Sequence, residues 1–172
     1  MAQDEEDTMK FKGFVFAPKP FYGELTERHG LIEKIRPERM PKKIERLILP
    51  GFVSTHVHTI QTNARNTAEN MELLDWLRKV IWPFEASLTP RTAFASSHTG
   101  MKECLRHGIT SILDMATTRH TNEVFRAAEE TGIRAWIGKA LMDVGPRNLV
   151  EKNPLPEVYD LIDRWHGADA GR

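Results

Sequence analysis

Hydrophobic and polar residues change rhythm along this chain at Gly51. Before it, the runs MKFKGFVF, FYGELTE, LIEKI and IERLILP are short and mostly alternating, parted by turn residues, with one turn at His29 and Gly30. A period of two is the pattern of half-buried strands. Residues 9–49 therefore predict a small β unit in which His29 serves only its turn.

Beyond Gly51 strand-like runs alternate with helical spacing. GFVST reads as a strand, and Leu73, Leu74, Leu77, Val80 and Ile81 form one apolar stripe over residues 71–81, which Pro83 should stop. Thr89 followed by Pro90 is a hydroxyl cap with proline at the first helical position. Phe94, Met101, Cys104 and Leu105 then mark an inward face until Gly108. ITSILDMA predicts a buried strand. Thr121 or Asn122 caps the next helix, with Val124, Phe125 and Ala128 facing in and Gly132 ending it. IRAWIGKALMD predicts a third strand, and a last helix spans residues 156–166.

Strand then helix, three times over, is the grammar of parallel βα units. Closing a barrel of this kind takes eight units and about 250 residues. Three would leave an open sheet edge and one bare apolar face. The expected reading is the beginning of a longer fold; a compact three-unit α/β domain is the alternative.

Composition narrows the partners. The 172 residues are 40% hydrophobic, enough for a core, and the 24 Lys and Arg balance the 24 Asp and Glu, so no global field favours nucleic acid or acidic lipid. Small or weakly charged partners are expected. Cys104 is the single cysteine, so it closes no intrachain disulfide, and no apolar run reaches the roughly 18 residues of a membrane span. The opening MAQDEEDTMK is acidic where a secretory leader is basic and then apolar. A cytoplasmic setting is expected, with residues 1–8 as a disordered acidic lead-in.

The candidate chemistry lies in LILPGFVSTHVHTIQT, Leu47 to Thr62. In a strand, residues two apart share a face and sit about 6.6 Å apart, so His56 and His58 can lean together onto one ion. Ser54 would share their face, with Val53, Thr55 and Val57 toward the packing layer. The pair falls at the C-terminal end of the first parallel strand, where barrels place their chemistry. Two readings stand open on these residues: a metal site, or an ordinary strand end.

PGFVSTHVHTIQT resembles the opening signature of the amidohydrolase superfamily, and the likeness continues through ELLDWLRKVIWPFEASLTP, HGITSILDMAT and GIRAWIGKALMD, over residues 45–143. Within it the chain looks like the nucleobase-type aminohydrolases: adenosine-derivative deaminases, guanine deaminase and triazine chlorohydrolases. The resemblance implies an α/β fold in which residues 50–172 form the first three βα units of a TIM-type (β/α)8 barrel. Residues 9–49 would supply half of a small β-sandwich before it. The implied activity is metal-dependent hydrolysis of non-peptide carbon–nitrogen bonds in cyclic amidines, deaminase-like, with this chain an N-terminal fragment inactive by itself. The alternative is a non-catalytic truncated module that folds by self-association or with a partner chain.

Residue by residue, the resemblance implies His56 and His58 as ligands of a divalent metal, zinc or alternatively iron. Gln61 matches a glutamine that reaches the substrate ring in guanine deaminase-like members; its other reading is a loop residue bonding backbone. Glu85 matches a carboxylate used on the ribose by adenosine-type members; its other reading is a solvated residue after a helix stop. His120 faces the mouth of the site on one reading and solvent on the other. Trp82 walls the pocket or packs in the core. His98 and His107 are read as cap or surface residues, His166 as a residue of the last helix with nothing near it in sequence, Lys139 as structural, and Asp143 as a strand-end residue bonding loops. The family's remaining ligands and its proton-shuttling glutamate come after later strands, so no catalytic base is assigned. The expected partner is a small nucleobase, nucleoside or triazine-like substrate, with no nucleic acid and no membrane. Relatives that pair through surface helices make a homo-oligomer an expectation.

Overall fold

The computed structural model describes residues 8–68 and 70–168. The acidic lead-in expected over residues 1–8 lies outside them except for Thr8, which opens the first strand. The chain divides into two compact units, Met1–Pro50 and Gly51–Arg172.

In the first unit, β1 (Thr8–Val15), β2 (Phe21–Arg28) and β3 (Leu31–Pro37) form an antiparallel meander. The two-residue β4 (Leu47–Ile48) pairs parallel to β1, so the strand order is β3-β2-β1-β4. His29 and Gly30, with φ of 52° and 78°, make the β2–β3 turn. Two left-handed residues suit the twist of a tight hairpin, as expected of this turn. IERLILP is thus strand only at its end, and β3 is exposed along its whole length.

The second unit begins with β5 (Phe52–Val57) and a 3-10 turn, Thr59–Ala64. A helical stretch follows: α1 (Leu73–Trp76), a π turn (Leu77–Ile81) and α2 (Trp82–Ser87). Then come α3 (Pro90–Arg106), β6 (Ile109–Met115), α4 (Thr121–Thr131), β7 (Arg134–Gly138) and α5 (Leu155–Trp165). The three strands make a parallel sheet, β5-β6-β7. Ile60, Ala93, Met101, Ile112, Val124 and Ala127 are its buried core.

Several local expectations are corrected. Pro83 does not stop the helix. Proline removes an N–H and crowds the carbonyl four residues back, and the π turn just before it widens the backbone there, letting the helix run on to Ser87. Of the expected stripe only Ile81 is buried, and Leu73 and Leu74 are exposed. The third strand ends at Gly138, so Lys139 and Asp143 lie beyond it. Thr121 is the first residue of α4 rather than its cap; left-handed His120 holds that place, with no capping side chain. The Thr89 cap does form, as a reciprocal box with Thr92.

The strand Ile109–Met115 is buried mainly on one face, with Ser111 also covered near its start. Ile112 and Asp114 face the helices, whereas Leu113 and Met115 are half exposed, beside Trp136 on β7 at 58% exposure. A sheet with helices on one side and solvent on the other presents this bare apolar face.

Candidate metal centre

The site is built by an irregularity at the end of β5. Ser54 pairs with Ile112 and Val57 with Asp114, so β5 advances three residues while β6 advances two. Such a bulge re-aims the side chains after it. Val57 comes onto the core side, and His56 and His58 both onto the open side with Met115. The same bulge overturns the even alternation expected of this strand: Ser54 faces the helices and Val53 the open side.

The two imidazoles meet edge to face, with centroids 4.8 Å apart and planes at 90°. Their Nε2 atoms are 3.2 Å apart. His58 Nδ1 lies 2.8 Å from the backbone carbonyl of Met115. A carbonyl only accepts, so Nδ1 carries the proton and Nε2 keeps its lone pair for the open side. Two nitrogens about 2.0–2.1 Å from one ion at a tetrahedral angle stand about 3.3 Å apart, so the observed spacing fits a shared cation. Among the described residues no group of three or more His, Cys, Asp and Glu side chains is placed to hold a metal.

Asp114 supports the pair from the core side. Its buried carboxylate accepts the backbone N–H of Thr59 at 3.3 Å and also the Thr59 hydroxyl. Burial pushes its carboxyl up, against the pull of the Thr59 hydrogen bonds and the charges of His58 and His56. The reading from sequence missed this residue, although an acid inside the apolar run ITSILDMA is itself a signal, because unpaired carboxylates are rarely buried.

Gln61 and Glu85 are brought together. The Gln61 side-chain amide donates to Glu85 Oε1 at 2.8 Å, and the Thr117 hydroxyl donates to Glu85 Oε2 at 2.9 Å. Glu85 is 8% exposed and sits within α2, so it is not a solvated residue after a helix stop. The Gln61 side chain bonds that carboxylate rather than backbone. His120 is half-buried, and its Nε2 donates to the carbonyl of Leu88 at 3.1 Å. A cavity of about 530 Å³ lies between His58, Gln61 and Trp76 on one side and Gly100, Cys104 and His107 on the other; His56, Glu85 and Trp82 do not line it.

The other histidines take local partners. His98 stacks on Phe94 and meets Glu130 at 3.3 Å, His107 Nδ1 reaches the Glu103 carbonyl at 2.8 Å, and His166 follows α5 as its cap.

Residues 47–170 match the amidohydrolase family. The chain is 33% identical over 126 residues to a 5-methylthioadenosine/S-adenosylhomocysteine deaminase of Syntrophomonas wolfei, an alignment covering 73% of this chain and 28% of that protein. It is 33% identical over 138 residues to a 5'-deoxyadenosine deaminase of Methanococcus aeolicus, covering 78% of this chain and 32% of that one. The fold superposes on E. coli guanine deaminase with a TM-score of 0.74 at 24% identity, over 95% of this chain and 44% of the enzyme. It superposes on a zinc-bound adenosine deaminase from Xanthomonas campestris with a TM-score of 0.74 at 21% identity, over 91% and 39%. The chain thus spans about a third or less of the length of these sequence relatives. The matched span takes in the histidine pair, the bulge that aims it and all three parallel strands, and on that ground the chain belongs to the amidohydrolase family.

Proposed function

We propose that this chain is the N-terminal part of a metal-dependent hydrolase acting on carbon–nitrogen, non-peptide bonds of cyclic amidines, with a nucleobase, nucleoside or triazine-like substrate. The observation that carries the reading is the 3.2 Å approach of the His56 and His58 Nε2 atoms, with His58 Nδ1 committed to Met115. In this reading residues 50–172 are the opening three βα units of a (β/α)8 barrel and residues 9–49 half of a β-sandwich. The bare face of the β5-β6-β7 sheet supports it, because a barrel covers that face with its other strands. His56 and His58 hold a divalent cation, zinc or iron; when bound, that ion supplies the Lewis acidity that activates water at neutral pH.

Met115 keeps His58 in the tautomer that leaves Nε2 free. Gln61, its amide given to Glu85, has its side-chain carbonyl left to accept from a ring N–H or amine. Glu85 retains acceptor capacity for a substrate hydroxyl beyond the two bonds from Gln61 and Thr117. No residue of this chain is assigned as the base.

Zinc titration by calorimetry tests the reading: one ion per chain is expected, with binding lost in both His56→Ala and His58→Ala. Binding unchanged in the two variants would end it. With zinc added, the isolated chain should not turn over adenosine derivatives or guanine above the metal blank. The exposed apolar sheet face also favours a second reading, a non-catalytic module that covers this face with a second copy or a partner chain. A concentration-dependent, cooperatively melting oligomer by size exclusion and circular dichroism would support that one.

A further inference from the structure

Lys139 is a buried cation unused by the metal centre. Its side chain is 1% exposed, and its ammonium stands 2.9 Å from Glu151 Oε2 and 2.8 Å from Glu157 Oε2. It also donates to the backbone carbonyl of Thr118. Glu151 meets it as an ion pair rather than an aligned hydrogen bond. The buried ammonium thus donates one hydrogen bond to a carbonyl and has its charge balanced by two carboxylates. The cluster joins the loop between β7 and α5, which carries both Lys139 and Glu151, to the turn between β6 and α4 and to the first turn of α5.

That turn is held at two successive carbonyls by two successive residues. Lys139 takes the Thr118 carbonyl, and the Ala140 N–H donates to the Thr117 carbonyl at 3.2 Å. The Thr121 hydroxyl reaches the same Thr117 carbonyl at 2.9 Å. Thr117 and Thr118 are each 1% exposed. The side chain so placed is the Thr117 hydroxyl, which donates to Glu85, whose other oxygen takes the Gln61 amide.

We infer that Lys139 is a positioning residue for the Gln61–Glu85 pair, acting through the Thr117–Thr118 turn and drawing its own anchorage from Glu151 and Glu157. Its meaning for substrate rests on the proposal above that Gln61 and Glu85 face the substrate. The placing of the pair does not. Loss of the ammonium frees the turn, removes the Thr117 hydroxyl from Glu85 and leaves the Glu85 carboxylate to turn away from Gln61.

The chain has two glutamines, Gln3 and Gln61, so selective nitrogen-15 labelling gives two side-chain amide signals, and Gln61→Glu assigns one of them. In metal-free protein, Lys139→Met should move the Gln61 amide resonance toward that of free glutamine and speed its exchange with water. Val124→Ala, an apolar core change in the same unit, should lower the melting temperature and leave that resonance in place. An unmoved resonance in Lys139→Met, or an equal displacement in Val124→Ala, overturns the inference. Should Lys139→Met fail to fold, Glu157→Gln removes one anchoring charge and must displace the Gln61 signal in the same direction to a smaller extent; no displacement is again refutation. With no metal in these samples, their outcome is independent of the zinc titration. A Gln61 shift in a chain that binds no zinc supports the positioning role while the hydrolase reading fails.

Discussion

His58 gives its Nδ1 proton to the backbone carbonyl of Met115, and the neighbour of each residue repeats the link, Asp114 accepting the N–H and the hydroxyl of Thr59. Two adjacent residues of β6 thus grip two adjacent residues at the tip of β5. One bond chooses the tautomer and the other fixes the backbone that carries the ring. Partners of this kind orient metal-ligating histidines and raise their basicity.

Asp114→Asn should therefore weaken zinc binding without removing a ligand. Direct outer partners of metal ligands are worth about 10- to 100-fold in affinity; Asp114 bonds Thr59 rather than a histidine, so a loss below that range is expected by calorimetry. An affinity unchanged from wild type would show that the Asp114–Thr59 link does not hold His58.

Ser96 ties α3 to the 3-10 turn that follows the histidines. It is fully buried, its hydroxyl donating to the Ile60 carbonyl at 2.8 Å and accepting the Asn63 N–H at 3.2 Å. Ser96→Ala strands two backbone groups, at a cost of about 1–3 kcal/mol. Urea denaturation should show the midpoint lowered with its slope unchanged.

Arg65 and Glu103 form a two-pronged pair, Nη1 to Oε2 at 2.7 Å and Nη2 to Oε1 at 3.0 Å, and the Arg65 guanidinium holds the Glu103 carboxyl below its ordinary value. A depressed carboxylate binds fewer protons folded than unfolded, so its contribution is complete above the ordinary glutamate value of about 4.3 and fades as pH falls through the folded value. Glu103→Gln should melt below wild type at pH 7, and the gap should close in acid and narrow in high salt.

Cys104 should react slowly while the chain is folded. Burial pushes its thiol up, and the charges of Asp114 and Glu103 add to that. Since the thiolate is the reactive form, labelling by a disulfide reagent at pH 8 should lag behind a free thiol and accelerate in urea. Being the one cysteine, it reports without ambiguity. Labelling of the folded chain at the free-thiol rate would contradict the raised thiol of this half-buried cysteine.

Much of the second unit was legible because its signals are local. Thr89 and Pro90 began α3, Gly108 and Gly132 ended α3 and α4 with φ of 80° and 70°, and the two histidines shared a face. What misled was equally local. Pro83 reads as a stop unless the turn before it widens, and the apolar residues Leu73 and Leu74 read as core until their neighbours are known. The alternation along GFVSTHVH could not reveal a bulge set by how β5 registers against β6.

Sequence alone marked the candidates, two imidazoles after an apolar strand and, by resemblance, a glutamine and a carboxylate nearby, together with the alternation of strands with helices. Tertiary structure alone decided which of them meet. Asp114 is 55 residues from Thr59, Thr117 is 32 from Glu85, and Lys139 is 21 from Thr118. The physical reason is that periodicity encodes which side of an element a residue takes, whereas hydrogen bonds between elements depend on the register of strands that the chain brings side by side only when it folds.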